Sequence, residues 1–245
     1  MSSEITVRKC ESLDDFHACV ALQREVWGED ELEVEPATLF VVAAHTGGQV
    51  LGAFTGSDLI GYTLALPGIR NGGPYLHSHM TGVRASYRDR GVGRMLKLFQ
   101  RDEAMGRGIR LIEWTFDPLE LRNAHFNLNR LGAICRRYLP NLYGITTSPL
   151  HRGLATDRLL AEWYLDSPRV EAAIAGKLPD SPVDARVEIP ASIEDWRASD
   201  LARVQGIQAN VRKQFSESFA KAYAAVGVVK TTGGASYQLA PWSEF

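Results

Sequence analysis

The chain has 245 residues, 45% hydrophobic and 23% charged, a balance that suits a buried core and excludes a disordered or fibrous chain. Lysine and arginine number 27 against 29 acidic residues, a formal charge of -2, and no long basic run exists to grip phosphate backbones, so nucleic acid is not the expected partner. Cys10, Cys19 and Cys135 lack CxxC spacing, no apolar stretch approaches the ~20 residues of a membrane span, and Met1 to Ile5 lack the regions of a signal peptide. A cytoplasmic protein with neither membrane association nor a disulfide framework is expected.

In chain order, Ile5 to Arg8 reads as a short alternating strand, and Ser12 as the N-cap of a helix running through Phe16, Val20, Leu22 and Val26 to Trp27-Gly28. After the acidic stretch Glu29 to Glu35, Pro36 opens a short helix, Thr38 to Ala44, which stops near Gly47-Gly48. The runs Gln49 to Thr55 and Leu59 to Leu66, joined by Gly56-Ser57-Asp58, predict a hairpin. Leu76 to Val83 is a further strand, Gly91 to Met105 a helix with Val92, Met95, Leu96 and Phe99 on one face, and Leu111 to Phe116 the next strand. A helix from Leu119 to Leu131 ends at Gly132, and strands Ile134 to Tyr138 and Leu159 to Leu165 close the sheet. This gives a mixed α/β domain over 1–166.

Residues 167–245 form an extension. It begins with a linker holding Pro168, Pro179, Pro182 and Pro190. From Ile193, the residues Trp196, Val204, Ile207, Val211, Phe215, Phe219 and Tyr223 lie on one stripe and predict a long amphipathic helix to Ala225. Val226 to Val229 and Tyr237 to Leu239, around Gly233-Gly234, predict a final hairpin. The stripe must be covered by the main domain or by a second subunit in a homodimer.

The segment Val83 to Arg94 carries the strongest chemical signal. Gly91 and Gly93 allow close backbone approach, and the amides opening the helix point its positive end at an anion such as a pyrophosphate. Neither GxxxxGK[ST] nor GxGxxG is present.

Arg88-Asp-Arg-Gly-Val-Gly93 resembles the RxxGxG signature of the GNAT N-acetyltransferase superfamily. The resemblance extends to the strand ending at Val83, to Ile112-Glu-Trp-Thr115, and to the helix Asn123 to Gly132; it covers roughly residues 5–166, and its overall pattern is similar to a bacterial subgroup with C-terminal extensions. It implies a mostly antiparallel sheet flanked by helices, and acyl transfer from acetyl-CoA or another acyl-CoA to a small-molecule amine, with no metal. Gly82, Val83 and Arg84 would pair with the pantetheine arm and polarise the thioester carbonyl. The amides of Arg88, Asp89, Arg90, Gly91, Val92 and Gly93 would hold the pyrophosphate, with Arg94 or Arg88 adding charge and Asn123 meeting the coenzyme.

Two departures from the family pattern stand out. Leu128 occupies the place of the tyrosine that protonates the departing thiolate, and Tyr138 or Tyr143 is the alternative hydroxyl. The stretch Asp117 to Arg122, which precedes Asn123, includes a three-residue excess over the family pattern. Glu113 falls where relatives place a general base, although a carboxylate within Leu-Ile-Glu-Trp-Thr-Phe is equally explained by a salt bridge to a neighbouring arginine or by an outward-facing position; Asp117 is the second candidate. His77-Ser-His79 could supply two metal ligands, relay a proton or simply pack. Cys135 has no activating neighbour, and Trp27, Trp114 and Trp163 read as core. For the acceptor, the acidic loop Glu29 to Glu35 would attract a cation, whereas Arg122, Arg130, Arg136, Arg137, Arg152 and Arg158 would clamp a carboxylate, favouring an amino-acid-like acceptor or a succinyl-type donor. Three functions remain open: an active acyltransferase on a small molecule, a coenzyme A-binding scaffold that has lost catalysis, and N-terminal acetylation of a protein or peptide, which needs an acceptor groove that the extension leaves open.

Overall fold

The computed structural model describes residues 4–28, 34–144, 153–177 and 183–242. Glu29 to Glu33, Arg152, Pro179 and Pro182 therefore lie outside the described residues. The chain divides into two compact units, the first reaching to Glu113 and the second beginning at Trp114.

The first unit holds strands β1 (Ile5–Lys9), β2 (Gln49–Thr55), β3 (Asp58–Arg70) and β4 (Gly73–Val83), antiparallel neighbours in that order. Strand β5 (Leu111–Phe116) starts in this unit and pairs in parallel with β4 at Leu76↔Ile112 and His77↔Glu113. Helix α1 (Leu13–Trp27) begins in a capping box: Asp15 N–H donates to Ser12 Oγ, and the Asp15 carboxylate accepts from the Ser12 amide. It stops at left-handed Gly28. With α2 (Ala37–His45) it buries Phe16, Cys19, Leu22, Phe40 and Ala43 against Val50, Phe54, Tyr62 and Leu64 of β2 and β3. Helix α3 (Val92–Gly106) packs Val92 and Leu96 on Leu51, Ala53 and Ile60, which alternate to the opposite face of the same strands.

In the second unit the strand order is β7 (Arg158–Tyr164), β6 (Ile134–Leu139), β9 (Tyr223–Thr231), β10 (Gly234–Pro241) and β8 (Ala185–Pro190). Helix α4 (Leu121–His125) continues as a π-helical turn, Phe126–Arg130, and ends near Gly132, whose φ of 77° suits glycine. Trp163 is fully buried and donates from Nε1 to the Leu131 carbonyl at 2.7 Å.

The extension departs from the sequence reading in two places. The expected linker contains α5 (Pro168–Ile174), capped by Ser167 with Pro168 in its first turn, and β8, which buries Val187 and Ile189. The expected single helix is two, α6 (Ile193–Ser199) and α7 (Leu201–Phe219), because Asp200 takes a non-helical φ of -146° and accepts from the Arg203 amide at 3.0 Å. Tyr223 opens β9 instead of continuing the stripe. Phe215 is fully buried, 5.1 Å from the Tyr237 ring and 5.9 Å from that of Tyr138. Within this unit the extension is also bound by Arg197 to Asp117 and Glu120, each at 2.8 Å, by Arg212 to Asp157 at 2.8 Å, and by Tyr237 Oη to the Pro118 carbonyl at 2.6 Å. Among the described residues no helix is long and apolar enough to cross a membrane.

Candidate functional site

The parallel register of β4 with β5 stops at His77↔Glu113, while β4 runs on for six residues to Val83. Its other edge stays paired to β3, ending with Arg84 N–H donating to the Ile60 carbonyl at 2.8 Å. In an antiparallel pair the hydrogen-bonding direction alternates, so the amides and carbonyls of Val83 and Thr81 point away from β3. The Val83 carbonyl accordingly accepts from Arg88 Nε at 3.2 Å. An extended arm laid along this edge would meet backbone donors and acceptors as an added strand does.

Beyond Val83, a short 3-10 turn, Ala85–Tyr87, leads into Arg88, Asp89 with φ 64° and Gly91 with φ 81°. Gly91 is the N-cap of α3; it offers no side-chain cap, and the first turn has no acidic residue. The amides of Val92, Gly93 and Arg94 therefore have no intrahelical acceptor and face outward at the positive end of the helix. A Cβ on Gly93 would come no nearer than 4.0 Å to Val83, whereas one on Gly82 would lie 2.7 Å from the Trp27 ring. Gly82 thus seats a core indole, while Gly93 leaves space for a ligand. Arg84 is drawn sideways into ion pairs with Glu25 at 3.2 Å and Asp58 at 3.5 Å, and Arg90 lies over the Tyr87 ring. The structure thus brings together Gly82, Val83, Arg84, Arg88, Asp89, Arg90, Gly91, Val92, Gly93 and Arg94.

The acid and base candidates are placed differently. Glu113 is buried and ion-paired with Arg70 of β3, the salt bridge that sequence reading had left open. Asp117 accepts from the Leu119 amide at 2.8 Å with one oxygen and from Arg197 at 2.8 Å with the other, which is a structural role. Leu128 is fully buried. Tyr138 is tied to Asp157 at 2.7 Å, and burial followed by that hydrogen bond pushes its hydroxyl well above the usual range. Tyr143 is exposed, with its hydroxyl 2.9 Å from Thr115 Oγ1. Asn123 is exposed on α4, in the second unit.

His79 was a secondary candidate in sequence. It sits where β4 bulges, since Ser78 and Met80 oppose the adjacent residues Ala65 and Leu64. Its Nε2 lies 2.9 Å from Glu35 Oε1, a carboxylate from the segment between α1 and α2. His77, 6.4 Å away ring to ring, is pushed down in pKa by burial and then by His79 and Lys97. Among the described residues no cluster of three or more histidine, cysteine, aspartate or glutamate side chains could hold a metal. The Cys135 thiol is driven up by burial, so it is no nucleophile. Arg136 is spent on buried Glu162 at 2.8 Å, which removes it from any acceptor clamp.

The fold is similar to that of known proteins. Residues 11–132 fit the acetyltransferase (GNAT) family. No curated protein matches the chain in sequence. Among solved structures, the ribosomal-protein-S18-alanine N-acetyltransferase from Escherichia coli is similar at 12% identity and TM-score 0.53, covering 67% of this chain and 96% of that one. An N-acetyltransferase from Staphylococcus aureus gives 15% identity and TM-score 0.53 over 66% of this chain and 99% of that one. The yncA protein of Salmonella typhimurium, solved with its cofactor acetyl-CoA, gives 16% identity and TM-score 0.54 over 66% and 95% respectively. Through residues 11–132 the chain belongs to the GNAT acetyltransferase superfamily.

Proposed function

We propose that this protein moves an acyl group from a coenzyme A thioester to the amine of a small molecule by direct attack in a ternary complex. The observation that carries this reading is the uncapped start of α3 directly after the open edge of β4, which is a pyrophosphate seat followed by a strand-like track for a pantetheine arm. Likeness to the yncA protein, solved with acetyl-CoA, supports the same assignment.

In this reading the outward amides of Thr81 and Val83 stabilise the oxyanion that forms on the thioester carbonyl. The amine nitrogen forms a bond to that carbon, the carbon–sulfur bond breaks, and the thiolate departs. His79 replaces Glu113 as the base. Its Nε2–H donates to Glu35, which leaves Nδ1 as the basic nitrogen that takes the proton of the attacking amine. Exposed Arg122 and Arg130 suit an amino-acid acceptor. The extension, residues 167–245, completes the second unit and serves as part of one protein instead of an independent domain.

A scaffold reading is favoured by one observation, the buried Leu128 at the acid position. Free-thiol release from acetyl-CoA in the presence of pooled primary amines and amino acids separates the two. Release that depends on the pool and falls at least about tenfold in His79→Gln supports the enzyme. Binding of acetyl-CoA without pool-dependent release supports the scaffold.

A further inference from the structure

Strand β8 stands last in the strand order of the second unit: it pairs with β10 on one side, and among the described residues no strand lies along its other edge. Its side chains alternate. Val187 and Ile189 are buried, whereas Arg186 and Glu188 are exposed on the opposite face. Among the described residues neither of these two charges has an ion-pair partner.

The direction of the backbone groups on the open edge follows from the end of the strand. Ala191 N–H donates to the Gly233 carbonyl at 2.9 Å, in the same register that sets Pro190 opposite Gly234 and Ile189 opposite Ala235. Hydrogen-bonding direction alternates along an antiparallel strand, so Ile189 and Val187 also turn their amides and carbonyls toward β10, and Arg186, Glu188 and Pro190 turn theirs outward. Pro190 agrees with this phase, because its missing N–H falls on the outer side. The edge therefore offers the backbone donor and acceptor of Arg186 and of Glu188, a template for one more strand.

A second β8, related by a two-fold axis at Val187, fits that template. Arg186 of each copy then lies opposite Glu188 of the other, each such pair exchanging both backbone hydrogen bonds and setting a guanidinium beside a carboxylate on the exposed face. Sliding the copies by two residues would oppose Arg186 to Arg186, or Glu188 to Glu188, so charge selects this one register. We propose that two copies of this chain associate through their β8 edges, antiparallel and centred on Val187. The pairing consumes the β8 edge of both copies, so it closes at a dimer. A contact of one short strand is smaller than a standard interface of ~1,600 Å², so the dimer is reversible.

Sedimentation equilibrium of the 245-residue chain over about a hundredfold range of concentration tests this. The mass should rise reversibly toward twice that of the monomer. In Arg186→Glu and in Glu188→Lys, each of which sets like charges opposite one another, the dissociation constant should rise at least about tenfold. Mixing these two variants restores unlike charges at both positions, so the mixture should dimerise as the wild type does although neither variant does alone, a recovery that misfolded chains would not give. A wild-type chain that stays monomeric throughout the range overturns the proposal. So does a dimer whose dissociation constant is unchanged in both single variants, or a mixture that stays as monomeric as its components.

Discussion

Lys97 carries a cost that shows in the pH dependence of folding. Its pKa is about 7 in the folded chain against 10.5 for a free lysine, so between those values the unfolded state holds a proton that the native state lacks. The penalty for burying it therefore shrinks as pH rises through that window. Lys97→Met should be more stable than the wild type at pH 7 in denaturant melts, and its advantage should be smaller at pH 8.5. An advantage that does not change over that range would show that the lysine is not buried neutral. Glu113 is the converse case: a carboxylate in an apolar strand was visible in the sequence, but its partner Arg70 lies 43 positions earlier and only folding reveals the pair. Glu113→Gln takes the countercharge from a partly buried guanidinium and should destabilise by roughly 1 to 3 kcal/mol, with acetyl-CoA affinity in the remaining folded protein unchanged. If stability is preserved and only turnover falls, Glu113 is the base after all. Likewise, the pairing of His79 with Glu35 joins two distant segments and was beyond any spacing rule.

At the level of elements, most strands and helices of the first unit lay open in periodicity and punctuation. Ser12, Gly28, Pro36 and the Gly56-Ser57 turn each mark a boundary that the structure keeps. What escaped was local chemistry that hides inside a periodic pattern. The apolar stripe from Ile193 onward stays in phase across Asp200, so the break between α6 and α7 is invisible to periodicity and is written only in the cap that Asp200 provides. Asp200→Ala should cost about 1 kcal/mol, and Asp200→Ser much less, as read by chemical denaturation; equal stability of all three would mean that the cap is idle. The proline count that suggested a linker misled for a similar reason. Pro168 starts a helix and Pro190 ends a strand, so both sit at boundaries where proline is tolerated.

For the whole molecule, the sequence resemblance reached the family, and the apolar stripe of the extension called for a cover from the main domain or a second subunit. Strand β9 pairs with β6 at Cys135↔Ala225, and α7 buries Val204, Val211 and Phe215, so residues beyond Asp166 supply strands and core to the same compact unit as α4, β6 and β7. A chain ending at Asp166 should therefore elute as aggregates in size-exclusion chromatography, as should Phe215→Asp, which sets a charge among the Tyr138 and Tyr237 rings. A soluble, monomeric truncated chain would show that the extension is dispensable. The central claim is that the glycine loop after β4 holds coenzyme A, and Gly93→Glu tests it most cleanly. Any side chain at Gly91 is strained by its φ of 81°, whereas a Gly93 Cβ would only touch the Val83 side chain at 4.0 Å and an acidic residue in the first turn favours the helix. Calorimetric titration with acetyl-CoA should show binding to the wild-type protein and at least about a hundredfold loss in a Gly93→Glu variant of unchanged melting temperature. Equal affinity in the two proteins would place the coenzyme elsewhere and contradict the account.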